Sequence, residues 1–194
     1  DEEFGEGVLD ETEEWMVEFS APNTNKPQHL GHVRNDLIGD SVSEILDFGG
    51  YDVVRANLIN DRGIHICKSM VAYQLDDNPR TPESADVKGD HLVGDYYVAF
   101  NDMLSEEYEA WQETGEADEE FEAWLDQERA ADRLPDDLAD QREQVRDSFF
   151  ETFQDDWFNQ YSDLGAKARQ MLRQWEAGDE EVRKLWQTMN SWVF

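Results

Sequence analysis

Two histidines, His29 and His32, flank Gly31 and closely follow Lys26 in one short stretch of the chain. The stretch lies between a short apolar run and an amphipathic segment, so it predicts a strand-to-helix turn. The first turn of a helix has unpaired backbone N–H groups that favour phosphate, and a glycine there lets a nucleotide approach the backbone. Imidazole N–H groups can donate hydrogen bonds to phosphate oxygens, and the Lys26 ammonium adds positive charge. These residues therefore predict binding of a nucleoside triphosphate and transfer of its nucleotidyl group.

A metal site is the main alternative interpretation of a histidine pair. A metal site needs further ligands of matching type, and His65, Cys67 and His91 lack ligand spacing around the pair. We therefore expect no metal site. Cys67 is the single cysteine, which excludes an internal disulfide and favours a cytoplasmic location. Its thiol is expected to pack as a small core hydrophobe rather than to act as a nucleophile.

Two strand–helix pairs are predicted to position the histidine stretch. Alternating and helical apolar patterns predict strands over 15–19 and 51–59, and helices over 30–48 and 64–75. This order is typical of a parallel, doubly wound nucleotide-binding sheet, so the predicted fold class is α/β with a partial Rossmann-like sheet.

The turn after the second predicted strand is a second candidate for a ligand contact. Asp61 and Gly63 follow that strand at the end of the sheet where ligands bind in such folds, which allows a contact to ribose or adenosine.

The second half of the chain is predicted to be helical. No strand pattern occurs after Pro82, and the Trp residues stand at helical spacing among Phe and Leu, as expected for core residues rather than base-stacking platforms. Helices are predicted around 96–104, 121–125, 149–158, 164–175 and 182–192. The acidic stretch 113–147 is expected to be a surface insertion. We therefore divide the chain into a leading segment (1–14), a nucleotide-binding half (15–88) and a helical insertion (89–194).

The chain is strongly acidic, with 47 acidic residues, 16 basic residues and a formal net charge of −31. Because 39% of the residues are hydrophobic and seven are Trp, a disordered acidic chain is a poor interpretation. Such a surface is typical of proteins that work in extreme salinity, where salt screens self-repulsion. In such an organism the acidic bias does not exclude a nucleic-acid partner, although phosphate contacts normally need Lys and Arg.

The ends and the hydropathy of the chain give further expectations. The sequence begins with Asp1 and contains no apolar run of 18 residues. We therefore expect a piece of a longer protein, with no membrane partner.

Two neighbouring motifs resemble a known family. The segment from Glu18 to Asn23, followed by Lys26 to His32, resembles the signature of arginyl-tRNA synthetases, which are class I aminoacyl-tRNA synthetases. Residues 60–69 and 175–193 also resemble that family. The likeness is strong over 15–80 and 88–100, weak over 105–165, and strong again over 165–194.

The resemblance implies ATP-dependent activation of L-arginine to arginyl-adenylate and transfer to tRNA(Arg). It implies that His29, His32 and Lys26 act in catalysis and contact ATP together with Gly31. Glu18 and Asn23 match residues that contact arginine. ATP is then a substrate accompanied by Mg²⁺, no tightly bound cofactor is expected, and the full-length enzyme is expected to be a monomer.

The chain also departs from the family pattern. No Lys-Met-Ser-Lys-Ser-like run occurs, and Lys26 matches the lysine that is thought to compensate in many arginyl enzymes. The rest of the arginine pocket and the anticodon-binding domain are expected in the longer protein, so this piece alone is expected to be inactive. Two alternatives remain open: another His-x-Gly-His nucleotidyltransferase that uses ATP, and a non-catalytic module whose acidic helical half contacts a partner.

Overall fold

The computed structural model describes residues 13–134, 138 and 141–194. In chain order its elements are β1 (Glu14–Glu18), α1 (Leu30–Gly49), β2 (Asp52–Ala56), α2 (Ile64–Leu75), α3 (Pro82–Ala85), α4 (Gly89–Gln112), α5 (Gly115–Ala130), α6 (Arg142–Gln160), α7 (Asp163–Ala177) and α8 (Glu180–Val193). The predicted leading segment 1–14 lies outside the described residues except for its last two positions.

The sheet has two parallel strands among the described residues. Glu14 of β1 lies opposite Asp52 of β2, and Glu18 lies opposite Ala56. The 20 residues of α1 connect the strands, because parallel strands need a crossover. A small parallel sheet beside a mostly helical body agrees with the predicted partial Rossmann-like α/β class.

The second strand is shorter than predicted. The prediction covered 51–59, whereas β2 ends at Ala56. The ladder stops because β1 ends two residues before Ser20, whose φ of 62° turns the chain away from its neighbour. The two segments meet again at a single parallel bridge between Asn23 and Asn60.

Helix α1 agrees with the predicted helix, but its apolar stripe is not buried. It ends at Gly50, whose φ of 97° provides a left-handed cap. The buried positions of α1 are small residues: Gly39, which packs against the Phe19 ring, and Ser43, which donates to the Gly39 carbonyl at 2.8 Å. The exposed apolar side chains of α1 are Leu30, Val33, Leu37, Ile38, Val42, Ile45 and Phe48.

The hydrophobic core lies where the helical half packs on α2, through α4 and α7. The acidic stretch 113–147 contributes to this core through α5, and its assignment as a surface insertion stays a prediction. Helix α5 buries Ala117, Phe121 and Leu125, and Phe121 packs against Phe149 at a ring-centroid distance of 5.5 Å. Four-residue spacing places these three side chains on one helix face, and the surrounding carboxylates obscure that pattern in the sequence.

The tryptophans of the helical half belong to this core, as predicted. Trp111 and Trp157 are buried, and their rings lie 6.3 Å apart beside Tyr108. Trp124, Trp175, Trp186 and Trp192 are partly buried and pack against the same cluster. Within the described part of the chain, no helix combines the length and the apolar character needed to cross a membrane.

Candidate active site

His29 and His32 form the N-terminal cap of α1 and contact each other. The Gly31 N–H donates to His29 Nδ1 at 3.0 Å, and the His29 N–H donates to His32 Nδ1 at 3.1 Å. The ring centroids are 4.1 Å apart. Because each Nδ1 accepts a backbone hydrogen bond, the neutral form of each ring carries its proton on Nε2. Each imidazole therefore has an N–H donor on the side of the ring away from the cap.

Gly31 is required by the His29 ring. A Cβ at position 31 would lie 2.8 Å from His29 Cε1 and 3.0 Å from its Nδ1, so the ring would have to shift. The sequence predicted a glycine that admits a nucleotide; the structure adds that this glycine makes room for a histidine.

The loop before α1 is attached to that helix at the point where it leaves β1. Ser20 donates its N–H to Asn35 Oδ1 of α1 at 2.8 Å, which fixes the loop as it leaves β1. Glu18 is exposed at the end of β1, and Asn23 is half-buried within the loop. The two residues that resemble arginine ligands therefore lie at the carboxyl end of the sheet, where parallel α/β folds bind ligands.

Asn60 anchors the loop and received no role from the sequence. Its N–H donates to the Pro22 carbonyl at 2.9 Å, and its own carbonyl accepts from Thr24 N–H at 3.2 Å. The Asn60 side-chain amide also donates to the Ala21 carbonyl at 3.4 Å. The order of the two strands could have indicated this contact. In a parallel pair, the segment that follows β2 lies beside the segment that follows β1.

Lys26 lies against α4. A Cβ at Gly94 would lie 3.1 Å from Pro27 Cδ and 3.8 Å from Lys26 Cα, so the loop backbone approaches this helix closely. The pKa of His65 in α2 is lowered, first by burial and then by the positive charges of Lys68 and Lys26. The charge of Lys26 therefore acts on the start of α2.

The candidate residues are held by different neighbours. His29 and His32 contact each other directly, whereas Glu18 pairs with Ala56, and Asn23 with Asn60. All lie on one continuous segment from the end of β1 to the start of α1. Such a segment can offer N–H donors to an anion near α1 and a carboxylate to a cation near β1.

The turn at residues 60–63, which we call the β2–α2 turn, lies beside this loop. Gly63 begins α2 with a φ of 132°, which favours glycine. Asp61 accepts, through its backbone carbonyl, a hydrogen bond from Trp186 Nε1 at 2.5 Å. Its contact to a ribose or adenosine stays a prediction.

Cys67 is a core residue, as predicted. Its side chain is buried, and burial together with the negative charge of Glu176 raises the pKa of its thiol to about 11. A thiol with that pKa is protonated at neutral pH and is a poor nucleophile. In the described ranges, no group of three or more His, Cys, Asp or Glu side chains is placed to hold a metal ion.

Comparisons with known proteins identify the family. A family profile described as tRNA synthetases class I (R), catalytic domain, matches residues 4–117. An arginine–tRNA ligase of Parabacteroides distasonis is 44% identical over 97% of this chain and 26% of its own length. A ligase of the same name from Porphyromonas gingivalis is 46% identical over 92% of the chain and 24% of its own length.

The chain spans about a quarter of the length of these curated relatives. A further arginine–tRNA ligase, from Bacteroides thetaiotaomicron, is 44% identical over the whole chain and 26% of its own length. The matched profile covers more than half of the 194 residues, and it includes the histidine cap, the loop and the β2–α2 turn. The chain therefore belongs to the class I tRNA synthetase family for arginine, within the catalytic domain.

Proposed function

We propose that the longer protein containing this chain activates L-arginine with ATP and transfers the arginyl group to tRNA(Arg). The observation that carries the proposal is the cap of α1, in which two backbone N–H groups hold the histidine rings and set their protons on Nε2. Donors that are fixed before the reaction stabilise developing charge without reorganisation. Family membership and the ligase relatives support the choice of reaction.

The first step is an in-line displacement at phosphorus. An oxygen of the arginine carboxylate attacks the α-phosphorus of ATP, and the bond to the pyrophosphate oxygen breaks. His29 and His32 donate Nε2–H bonds to phosphate oxygens, and Lys26 places a positive charge beside the leaving pyrophosphate. Mg²⁺ accompanies ATP as part of the substrate. A ribose hydroxyl of the terminal adenosine of tRNA then attacks the arginyl carbonyl, and AMP leaves.

Glu18 and Asn23 are proposed to bind the amino acid. The exposed carboxylate of Glu18 can accept two hydrogen bonds from a guanidinium group, a geometry that suits arginine better than lysine. Asn23 offers an amide that can both donate and accept, and the bridge to Asn60 holds its backbone. This division puts the amino acid near β1 and the phosphates near α1.

The proposal includes the organisation of the chain. Residues 15–88 supply half of the ATP-binding fold, and residues 89–194 form a helical insertion that packs on α2 through α4 and α7. We propose that the parent is a cytoplasmic monomer. The isolated piece is proposed to be inactive, because residues outside it complete the arginine pocket.

The test is ATP–pyrophosphate exchange by the full-length parent, measured in high KCl with tRNA present. Exchange should depend on arginine and not on lysine. His29→Ala and His32→Ala should each lower kcat about 100-fold. The matched control is His91→Ala, which removes an exposed histidine from α4 and should leave exchange unchanged. Exchange driven by another amino acid would overturn the substrate, and full activity of both cap variants would overturn the roles of the histidines.

A further inference from the structure

We infer that Trp186, together with Trp175 and Glu176, positions the loop before α1 (residues 19–29), which contains Asn23. These residues act on the loop through the β2–α2 turn. These three residues lie in α7 and α8, more than 100 positions after the turn in sequence. The inference rests on the proposed function, and it assigns Trp186 a positioning role rather than direct contact with substrate.

Trp186 holds the backbone of the turn. Its indole Nε1–H donates to the Asp61 carbonyl at 2.5 Å. The Trp186 ring packs edge-on against Trp175, with a centroid distance of 5.3 Å and an interplanar angle of 71°. An indole donor whose ring is packed in this way has little rotational freedom, so it fixes the carbonyl that it binds.

Arg62 provides a second attachment of the same turn to α7. Its guanidinium donates to Glu176 Oε1 at 3.0 Å and lies 5.1 Å from the centroid of the Trp175 ring. An exposed ion pair contributes little stability by itself, but stacking on an aromatic ring adds geometric definition. Two consecutive residues of the turn are therefore attached to the helical half, Asp61 to α8 and Arg62 to α7.

The β2–α2 turn holds the loop before α1. Asn60 immediately precedes Asp61, and its backbone bonds to Pro22 and Thr24 enclose Asn23 on both sides. A shift of the Asp61 carbonyl therefore moves Asn60, which is the hydrogen-bond partner of the two residues that flank Asn23. Displacements of about 1 Å at a substrate-positioning residue are enough to change turnover or binding strongly. The consequence is that α8 acts on the amino-acid side of the site without touching substrate.

The experiment uses the full-length parent with Trp186→Phe, which keeps an aromatic ring against Trp175 and removes the N–H donor. The matched control is Trp192→Phe, the same change in the same helix at a ring that packs on Tyr73 at 5.7 Å. In arginine-dependent exchange, Trp186→Phe should raise the KM for arginine about threefold to tenfold and change kcat less than about twofold. Trp192→Phe should leave the KM for arginine unchanged.

Hydrogen exchange of the backbone amides gives a readout that does not need activity. The N–H groups of Thr24 and Asn60, which form the link between loop and turn, should exchange faster in Trp186→Phe than in the wild type or the control. An unchanged KM with unchanged exchange of these amides would overturn the inference. Equal losses of Tm and kcat in both variants would also overturn it, because they would indicate packing alone. Absence of arginine-dependent exchange in the wild type would instead reject the proposed function, and the amide measurement would still test the link.

Discussion

Gly31 directly constrains the position of the His29 ring in the cap of α1. Replacing Gly31 with Ala would place a Cβ 2.8 Å from His29 Cε1, so the ring must leave its position in the cap. We expect Gly31→Ala in the full-length protein to lower kcat/KM for ATP about 10-fold to 100-fold in pyrophosphate exchange. The stability of α1 should change little, because the higher helix propensity of Ala offsets the loss of the His29 capping bond.

Gly49→Ala is the control for that variant. Gly49 lies in the last turn of the same helix, and a Cβ there would meet only the Tyr51 ring at ordinary contact distances of 3.8 and 3.9 Å, so kcat/KM should stay at the wild-type value. A Gly31→Ala enzyme with normal kcat/KM would contradict the steric argument. A large drop in Tm would show that the loss arises from unfolding rather than from the ring.

Cys67 gives a prediction about pH. Its pKa is raised to about 11 from an ordinary value of 9.0, so the unfolded chain loses the thiol proton at lower pH than the folded chain. The free energy of unfolding should therefore be unaffected by this group below pH 9 and should fall as the pH rises from 9 towards 11. The measurement is chemical unfolding at several pH values in this window, with the wild type and Cys67→Ala compared.

The informative quantity is the slope of the unfolding free energy against pH. Between about pH 9 and 10, Cys67→Ala should have a shallower slope than the wild type, by up to about 1.4 kcal/mol per pH unit. Above pH 10 both proteins should lose stability, because the pKa values of Tyr108 and Tyr161 are raised to about 12. Identical slopes between pH 9 and 10 would mean that the thiol titrates normally.

At the scale of elements, α1 shows both the reach and the limit of sequence patterns. Its bounds were predictable, because the histidine cap and Gly50 are local signals. The exposure of its apolar stripe was not predictable, because periodicity shows which side chains share a face but does not show which neighbour covers that face. Position 39 requires a glycine because the Phe19 ring occupies the space where a side chain would be. This long-range contact has no local signal in the sequence.

The exposed stripe of α1 predicts a contact made in the longer protein. Leu37 is 63% exposed here, and the relatives are about four times as long as this chain. We expect another part of the parent to cover the stripe, since contiguous exposed apolar surface marks an interface. Leu37→Asp should then lower the Tm of the parent in a thermal melt, because it buries an unpaired charge.

Val98→Asp is the matched control for this prediction. Val98 is 56% exposed in the middle of α4, and no apolar stripe of comparable length surrounds it. The same charge placed there should change the Tm little. No effect of Leu37→Asp would mean that α1 stays solvated in the parent, and equal losses in both variants would mean that the added charge destabilises the protein regardless of its position.

For the whole molecule, local motifs predicted the histidine cap of the candidate site better than the contacts that hold the adjoining loop. The histidine cap follows from two side chains and one glycine within four residues, so sequence spacing contains its geometry. The contact between Trp186 and Asp61 joins positions 125 apart, and the link from Asn60 to the loop depends on strand register. Neither contact has a periodic signature. The two-strand sheet was predictable from its strand–helix–strand order, whereas the burial of α5 was obscured by its charge.

The net charge of −31 predicts a dependence of stability on salt. The relatives give no support to the expected adaptation to high salinity, which stays a prediction. Glu109, Asp147 and Glu151 illustrate the physical basis, because all three are exposed and line one cleft between α4 and α6. Their repulsion acts over about 10 Å at 0.1 M salt and about 3 Å at 1 M.

We therefore expect the free energy of unfolding to rise as KCl is increased from about 0.1 M to about 2 M. Neutralising the cleft with Glu109→Gln, Asp147→Asn and Glu151→Gln should raise stability at low salt and make its dependence on KCl shallower. Thermal unfolding followed by circular dichroism measures both effects, and sucrose in place of KCl separates screening from general solvent exclusion. A Tm that is constant over this KCl range would contradict the prediction. A triple variant with the salt dependence of the wild type would place the relevant repulsion elsewhere on the surface.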